Sequence, residues 1–247
     1  MAPHLRQVLE GPEELAHRAA ELFVMAASSA ISARGAFSVA FSGGRTPGIF
    51  FSTLATEPYR QGVEWEKVHV FFVDERSVPP DHEMSNFRLA DDALLGKVRP
   101  ITHRIQGELG PLEAARRYSA ELREVLGSQP QFDMVFLGMG DDGHTASLFP
   151  GSASLEEKDA LAVAVEDREP PRVSLTLPVI NAARTIIFLV TGASKAAKVR
   201  QILGGDMHER CSGTASGERG DSVPPAGRVN EKALWLLDED AASALAR

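Results

Sequence analysis

Four short segments of the sequence carry side chains that could bind an anion or transfer a proton. They are residues 42–47 (Ser-Gly-Gly-Arg-Thr-Pro), 74–76 (Asp-Glu-Arg), 138–144 (Gly-Met-Gly-Asp-Asp-Gly-His) and 191–195 (Thr-Gly-Ala-Ser-Lys). Each segment directly follows an apolar run of the kind that forms a strand. In an open parallel sheet, ligands bind at the edge where the carboxyl ends of the strands meet. The sequence therefore predicts one site built from all four segments.

Segment 42–47 has the composition of a loop between a strand and a helix. Its two glycines let a ligand approach the backbone, and its proline suits a first helical turn, where free backbone N–H groups bind anions. It lacks the Gly-Lys-Ser/Thr ending of a Walker A motif. The alternative is a tight turn that happens to use glycines. We expect the following residues to bind an anionic group: Ser42, Gly43, Gly44, Arg45 and Thr46.

Segment 138–143 matches the dinucleotide-binding pattern G-x-G-x-x-G letter for letter. Two acidic residues stand where a pyrophosphate would bind, however, and Pro150 follows too soon for the usual long helix. We therefore interpret the segment as a glycine-framed turn that presents Asp142 and His144 to a ligand. The unperturbed pKa of histidine lies near neutral pH, and a neighbouring carboxylate can fix its tautomer. The alternative is that His144 only caps the turn that follows it.

Three cations are candidates for contact with an anion. Lys195 stands at the start of a predicted helix, where its charge opposes the helix dipole, and a bound anion would remove that conflict. Segment 74–76 emerges at the end of an apolar run that is typical of a strand buried on both faces, which makes Asp74 and Arg76 candidate ligand contacts. For this segment the alternative is a solvated salt bridge in a loop. Arg172 is either a further cation of the site or a surface residue.

Other reactive residues give weaker signals. The remaining histidines show no metal-ligand spacing, and the sequence has no Gly-x-Ser-x-Gly motif of a serine hydrolase. The single cysteine, Cys211, excludes a disulfide framework and a multi-cysteine zinc site. We therefore expect neither a metal nor a cofactor.

The composition of the 247-residue chain excludes several classes of protein. With 26 Lys+Arg against 34 Asp+Glu, the formal net charge is −8, which argues against a nucleic-acid-binding face. No apolar stretch approaches the ~18 residues that span a bilayer, and Glu13 and Glu14 stand where a signal peptide would be basic. We expect a cytoplasmic protein, a monomer or small homo-oligomer, that binds a small molecule and neither nucleic acid nor membrane.

The elements that must position the four segments alternate along the chain. Repeated strand–loop–helix units predict parallel βαβ connections, and therefore a single α/β domain over residues 1–247 with a mostly parallel central sheet flanked by helices. Residues 204–228 are rich in Gly, Ser and charge, which predicts a long exposed loop. The predicted helices end near residues 34, 54, 126 and 203. The predicted strands are 37–41, 68–73, 101–105, 134–137, 161–165, 172–177, 185–190 and 234–237.

The same segments carry a resemblance to a known family. The matching residues are 42–44 with Thr46 and Pro47, 74–76 with Val78, Pro79, Ser85 and Asn86, 138–150, 171–178, 191–192 with Lys195, and Trp235 with Asp238. In this order, over nearly the whole chain, they resemble the 6-phosphogluconolactonases. The resemblance implies the α/β fold of the sugar-phosphate deaminases and isomerases. It also implies hydrolysis of 6-phospho-D-glucono-1,5-lactone in the pentose phosphate pathway, without a metal.

The resemblance also suggests a role for each candidate residue. His144 would act as a general base on water while Asp142 orients its imidazole, and Arg76 would stabilise the charge that develops on the carbonyl oxygen. The remote 6-phosphate would be held by the loop 42–46, Arg172 and Lys195, with Asp74 also contacting the substrate. Arg45 departs from the family, which often has Ser at its position, and adds a phosphate contact. Residues 205–227 are hard to align with the family and receive no role.

Two other functions are compatible with the sequence. An amino-sugar phosphate deaminase or isomerase is the first, but related deaminases carry a Glu five residues after the histidine, where this chain has Phe149. A non-catalytic sugar-phosphate sensor is the second. Related regulators carry a helix-turn-helix segment, for which the residues before Phe37 are too few. A sensor that acts through protein partners stays open.

Overall fold

The central sheet is parallel and has seven strands in the part of the chain that the structure, a computed structural model, describes (residues 5–204 and 223–245). The strands of the protein are β1 (Leu5–Leu9), β2 (Phe37–Phe41), β3 (Val68–Phe72), β4 (Asp74–Arg76), β5 (Ile101–Thr102), β6 (Met134–Leu137), β7 (Ala162–Val165), β8 (Arg172–Leu175), β9 (Thr185–Val190) and β10 (Leu234–Asp238). The sheet runs β1-β10-β9-β6-β2-β3-β5, and every neighbouring pair is parallel. The predicted sheet is confirmed.

Helices connect the strands largely where the sequence predicts them. The first helix ends at Gly35, which adopts a left-handed conformation (φ 83°) and donates its N–H to the Ile31 carbonyl, as is usual for a glycine after a helix. A π-helical turn over Asp91–Leu95 joins two short helices. The helices are α1 (Pro12–Arg34), α2 (Arg45–Leu54), α3 (Asn86–Ala90), α4 (Gly96–Val98), α5 (Pro111–Leu126), α6 (Leu177–Asn181), α7 (Ala196–Leu203) and α8 (Glu239–Ala242).

An aromatic cluster between α1, α2 and the sheet forms the rigid part of the core. Phe23 of α1 is fully buried and packs edge-on against Phe37 of β2, with ring centroids 5.3 Å apart. Phe50 of α2 lies 4.6 Å from Phe136 of β6. Burial of one such side chain stabilises the fold by about 1.5–3 kcal/mol. Phe50 also packs against Phe41, the last residue of β2, with ring centroids 6.0 Å apart. The cluster therefore holds the carboxyl ends of β2 and β6, from which two of the four candidate segments emerge.

A second, antiparallel sheet was not expected from the sequence. It has the order β4-β8-β7, and the chain passes from β3 of the large sheet into β4 of the small one through Val73. The expectation of a loop at residues 74–76 was therefore wrong. Asp74 and Glu75 are only 6% and 3% exposed, and their internal hydrogen bonds make it possible to bury these charged side chains within a strand.

Two further stretches differ from the prediction. Residues 5–9, for which no element was predicted, form strand β1 at the edge of the described sheet, where it pairs with β10. The expectation of an exposed loop over 204–228 was wrong at its end, because Pro224, Pro225 and Ala226 are buried and the Ala226 N–H donates to the Gly143 carbonyl. Residues 205–222, which include Cys211, lie outside the described residues.

Among the helices within residues 5–204 and 223–245, none is long and apolar enough to cross a bilayer.

Candidate active site

A cleft of about 350 Å³ lies at the carboxyl ends of β2, β6 and β9, beside the small sheet. All four candidate segments line it, as the topology of a parallel sheet predicts. Asp142 is the one predicted site residue that does not line the cleft, because it lies behind the imidazole of His144. The predicted residues that line it are Ser42, Gly43, Gly44, Arg45, Thr46, Asp74, Arg76, His144, Arg172 and Lys195.

His144 and Asp142 form a hydrogen-bonded pair. The imidazole Nδ1 lies 2.6 Å from Asp142 Oδ1, and the same oxygen accepts the His144 backbone N–H at 3.0 Å. Burial acts to raise the pKa of Asp142, but the hydrogen bonds from His144 outweigh it and hold that pKa below its usual value. An ionised carboxylate can only accept, so Nδ1 carries the proton and the lone pair is on Nε2.

The imidazole is held in place on two further sides. A Cβ atom at Gly140 would lie 2.1 Å from His144 Nδ1, so only glycine leaves room for the ring. Phe149 packs against the imidazole with ring centroids 4.4 Å apart, and the Arg168 guanidinium lies 4.2 Å from the centroid of the same phenyl ring. The orientation of His144 is therefore set by its neighbours before any ligand arrives.

Arg76 reaches the cleft from β4. Its Nη1 donates to the Met84 carbonyl at 3.0 Å and to the Asn86 side-chain oxygen. A Cβ atom at Gly43 would lie 1.8 Å from that same Asn86 oxygen. Asn86, which sequence reasoning noticed only as a match to a family, therefore links Arg76 to the glycine loop that follows β2.

Glu75 holds the backbone of Arg76 and Asn86 in place. Its carboxylate accepts the backbone N–H groups of Arg76, Asn86 and Phe87 and the hydroxyl of Ser85. It thereby satisfies free N–H groups at the start of α3. Burial raises the pKa of Glu75, although these backbone N–H groups act in the opposite direction. Glu75 faces away from the cleft and acts on it only by holding Asn86 and Arg76.

Arg172 lies beside Arg76 because the two residues are register partners in the antiparallel pair β4–β8. Burial, and next the charge of Arg76, lower the pKa of Arg172. Both Nε atoms are buried and have no hydrogen-bond partner among the described residues. Two neighbouring guanidinium groups with unused donors form a wall that favours an anion.

The glycine loop after β2 presents further donors. Gly44 has a φ of 105° and precedes α2, whose first turn receives no hydrogen bond from a capping side chain. The Ser42 hydroxyl is buried and unpartnered among the described residues. The Thr46 and Thr191 hydroxyl oxygens lie 2.7 Å apart and join this loop to the segment after β9. The loop therefore combines free N–H groups, hydroxyls and the Arg45 charge at one helix N-terminus.

Lys195 lies in a 3-10 turn (Ala193–Lys195) that precedes α7, and its ammonium lies 2.5 Å from Asp141 Oδ1. The Ser194 hydroxyl donates to the same oxygen at 2.8 Å. The hydrogen bond from Lys195 is the main cause that lowers the pKa of Asp141. Sequence reasoning gave Asp141 no role, because nothing in the spacing of residues 141 and 195 indicates that they meet.

The end of β10 fixes the position of this turn. The buried carboxylate of Asp238 accepts the Gly192 N–H at 3.0 Å and also the Ala241 N–H at the start of α8. Gly192 has a φ of 94°, which favours glycine. Lys195 is therefore positioned by the last strand of the sheet as well as by β9.

The carboxylates that line the cleft, and that of Asp142 beside it, are engaged by the protein's own side chains. Asp142 binds His144, Asp141 binds Lys195, and Asp74 Oδ2 accepts the Ser147 hydroxyl at 2.7 Å. Within residues 5–204 and 223–245, no group of three His, Cys, Asp or Glu side chains is arranged to hold a metal ion.

The fold and the cleft define an α/β protein with a cation-lined pocket at the carboxyl edge of its sheet. A family model described as "Glucosamine-6-phosphate isomerases/6-phosphogluconolactonase" matches residues 10–235. The chain belongs to this family. It is 36% identical to the 6-phosphogluconolactonase of Synechocystis sp. over 98% of both chains, and 34% identical to that of Nostoc sp. over 97% of both. The predicted family resemblance is confirmed.

Solved structures of other proteins share the fold of this chain. A 6-phosphogluconolactonase from Trypanosoma cruzi superposes with a TM-score of 0.83 at 27% identity, over 100% of this chain and 98% of the other. A monomeric glucosamine-6-phosphate deaminase superposes with a TM-score of 0.75 over 97% of this chain and 99% of the other. At 20% identity, the second match shows that the fold is shared and nothing more.

Proposed function

We propose that this protein hydrolyses 6-phospho-D-glucono-1,5-lactone to 6-phosphogluconate in the pentose phosphate pathway, with His144 as the general base. The observation that carries the proposal is the Asp142–His144 pair in a cleft that also contains several cations. The names and full-length coverage of the relatives support the same substrate. The four cations of the cleft are Arg45, Arg76, Arg172 and Lys195.

His144 performs both proton transfers of the reaction. Its Nε2 takes a proton from water as the water oxygen attacks the lactone carbonyl carbon, which gives a tetrahedral intermediate. The bond between that carbon and the ring oxygen then breaks, and the imidazolium returns the proton to the ring oxygen, which leaves as a hydroxyl. The new carboxylic acid releases one proton to solvent. The charge of Asp142 stabilises the imidazolium between the two steps.

Arg76 stabilises the negative charge that develops on the carbonyl oxygen. Its Nη1 is held by Asn86 and Met84, and its buried Nε–H has no partner among the described residues. A donor that is fixed before the reaction has no reorganisation cost in the transition state. Arg172 lies next to it and adds a second charge on the same wall.

The phosphate of the substrate is bound by the two turns that follow β2 and β9. The N-terminus of α2 with Arg45, and the turn with Lys195, supply backbone N–H groups, hydroxyls and two positive charges. This anchor places the carbonyl near His144, and positioning of this kind lowers the barrier without acting on the reacting atoms. Asp74 has acceptor capacity beyond the Ser147 hydroxyl, which suits a sugar hydroxyl of the substrate. A cytoplasmic setting and a monomer or small oligomer stay predictions from the sequence.

The decisive experiment is a hydrolysis assay with freshly generated lactone, corrected for spontaneous opening. We expect catalysed release of 6-phosphogluconate. Glucosamine 6-phosphate serves as the control substrate, because a deaminase would release ammonia from it. Ammonia release, or lactone opening at the spontaneous rate, would contradict the proposal; the second result combined with tight phosphosugar binding would favour the sensor.

A further inference from the structure

The two cations proposed to hold the phosphate differ in their surroundings. Arg45 is exposed at the first position of α2. The Lys195 side chain is only 20% exposed and lies 2.5 Å from the carboxylate of Asp141. Asp141 and Lys195 both line the cleft, so this ion pair stands inside the ligand site.

Asp141 engages the donors of the Lys195 turn. One oxygen, Oδ1, accepts both the Lys195 ammonium and the Ser194 hydroxyl. A phosphate that binds at this turn needs the same ammonium and hydroxyl donors, and both already donate to Asp141. The carboxylate of Asp141 therefore stands in for the anion that the turn is built to bind, and its bond to Lys195 offsets the conflict between the lysine and the helix dipole.

Of the two side chains, that of Asp141 can move away from the ion pair more easily. The Asp141 side chain is 70% exposed, whereas that of Lys195 is 20% exposed. An exposed carboxylate regains its hydration when it turns outward, and an ion pair with an exposed partner contributes little to stability. A dianion that contacts the same ammonium, together with the N–H groups at the start of α2, is the stronger ligand.

We propose that Asp141 is an internal competitor for the phosphate of the ligand: it occupies Lys195 and Ser194 in the free protein and is displaced when a phosphate dianion binds. This inference rests on the proposed function, because it takes Lys195 as a phosphate contact. Competition by Asp141 lowers the affinity for substrate and for product by the same factor, since both carry the phosphate. It therefore speeds the departure of the product, which would otherwise be held by the full strength of the cation site.

The test measures binding of inorganic phosphate to the full-length protein by calorimetry at fixed ionic strength and pH 8. Asp141→Asn removes the charge and keeps the shape of the side chain. We expect it to bind phosphate about two- to fivefold more tightly than the wild type, because the cost of breaking one exposed ion pair is removed. Asp159→Asn is the matched control. It removes another exposed carboxylate, which lines a different cavity, and we expect less than a twofold change.

The Lys195→Ala background separates displacement from general repulsion. We expect Lys195→Ala to weaken phosphate binding tenfold or more, and Asp141→Asn to have no further effect in that background. An equal gain from Asp141→Asn with and without Lys195 would overturn the inference, because the carboxylate would then act only through its charge. No gain in either background would overturn it and leave Lys195 as a phosphate ligand. Unchanged phosphate binding in Lys195→Ala would overturn both this inference and the phosphate assignment.

Discussion

At the scale of single residues, two glycines of the cleft make room for the protein's own side chains. Sequence reasoning took Gly43 as space for a ligand, but a Cβ atom there would collide with Asn86. A Cβ atom at Gly140 would collide with the His144 imidazole. Such close approaches join residues that are distant in sequence or folded back in a turn, so no local pattern predicts them.

Replacement of the proposed base tests the role of His144. We expect His144→Ala to lower kcat by about 10²–10⁴-fold, the usual contribution of a general base. The affinity for inorganic phosphate should stay within twofold of the wild type, since the ring does not belong to the phosphate anchor. His17→Ala, on the exposed face of α1, is the control. A variant with more than half the wild-type kcat after background correction would show that His144 has another role.

Gly140→Ala tests whether the position of the ring matters as much as its presence. The added methyl group must push the imidazole aside, because its Cβ would lie 2.1 Å from both Nδ1 and Cε1. We expect kcat to fall by about 10²-fold, as a displacement of about 1 Å can cause. Gly11→Ala is the control, since its Cβ meets only one atom, at an ordinary 3.8 Å. Equal kcat values in the two variants would mean that the ring tolerates movement.

At the scale of elements, the sequence predicted the four segments better than the contacts between them. Apolar runs followed by glycine or charge located the ends of β2, β3, β6 and β9, and parallel strands necessarily bring those ends to one edge. The links across the edge were not predictable. The Thr46–Thr191 contact and the Asp141–Lys195 pair depend on the register between elements, which a pattern along one chain does not record.

The buried Glu75 carboxylate gives the start of α3 a predictable pH dependence. Burial raises its folded-state pKa above the ordinary 4.5. Between those two values the folded state binds more protons than the unfolded state, so the contribution of Glu75 to the free energy of unfolding decreases as the pH rises. We expect the free energy of unfolding of the wild type, minus that of Glu75→Gln, to decrease from pH 4.5 upward in urea titrations. Glu239→Gln, with an exposed carboxyl, should lack this slope; a difference that grows with pH would contradict the assignment.

The two loops that approach the phosphate can be tested separately. We expect Arg45→Ala and Lys195→Ala each to raise KM for the phosphorylated lactone, because a hydrogen bond to a charged group contributes about 1.5–3 kcal/mol. Part of the loss should appear in kcat, since the anchor also aligns the carbonyl. An unphosphorylated lactone should respond far less to both substitutions. Equal losses on the two substrates would place these side chains at the carbonyl or in the stability of the fold.

At the scale of the whole molecule, the sequence predicted the large sheet and missed the small one. The alternation of strands and helices sufficed for a parallel sheet. The antiparallel pairing of the small sheet's three strands leaves no mark in the alternation of strands and helices along the chain. Two of these strands, β7 and β8, were among the predicted strands, but β4 has the sequence Asp-Glu-Arg and no apolar pattern. The edge strand β1 was missed for a similar reason, because Leu5 and Val8 are exposed on it.

The distribution of carboxylates over the molecule predicts an activity that does not depend on a metal. The acidic side chains in and beside the cleft hold a histidine, a lysine and a serine, and a metal would have to break those bonds. We expect full lactonase activity after exhaustive dialysis against a strong chelator. Loss of turnover that is restored by an added divalent cation would show that Asp141 and Asp142 bind a metal instead.

The pairing of β1 with β10 determines how much of the protein can fold during its synthesis. The ribosome synthesises residues 5–9 long before residues 234–238, and among the described residues β1 pairs with no other strand of the sheet. Closing a loop of that size is slow and entropically costly. Asp238, at the end of the same late strand, also holds the turn that carries Lys195. A nascent chain can therefore assemble the histidine side of its cleft before β10 has been synthesised, but it can bind a phosphate at full strength only once β10 has joined the sheet.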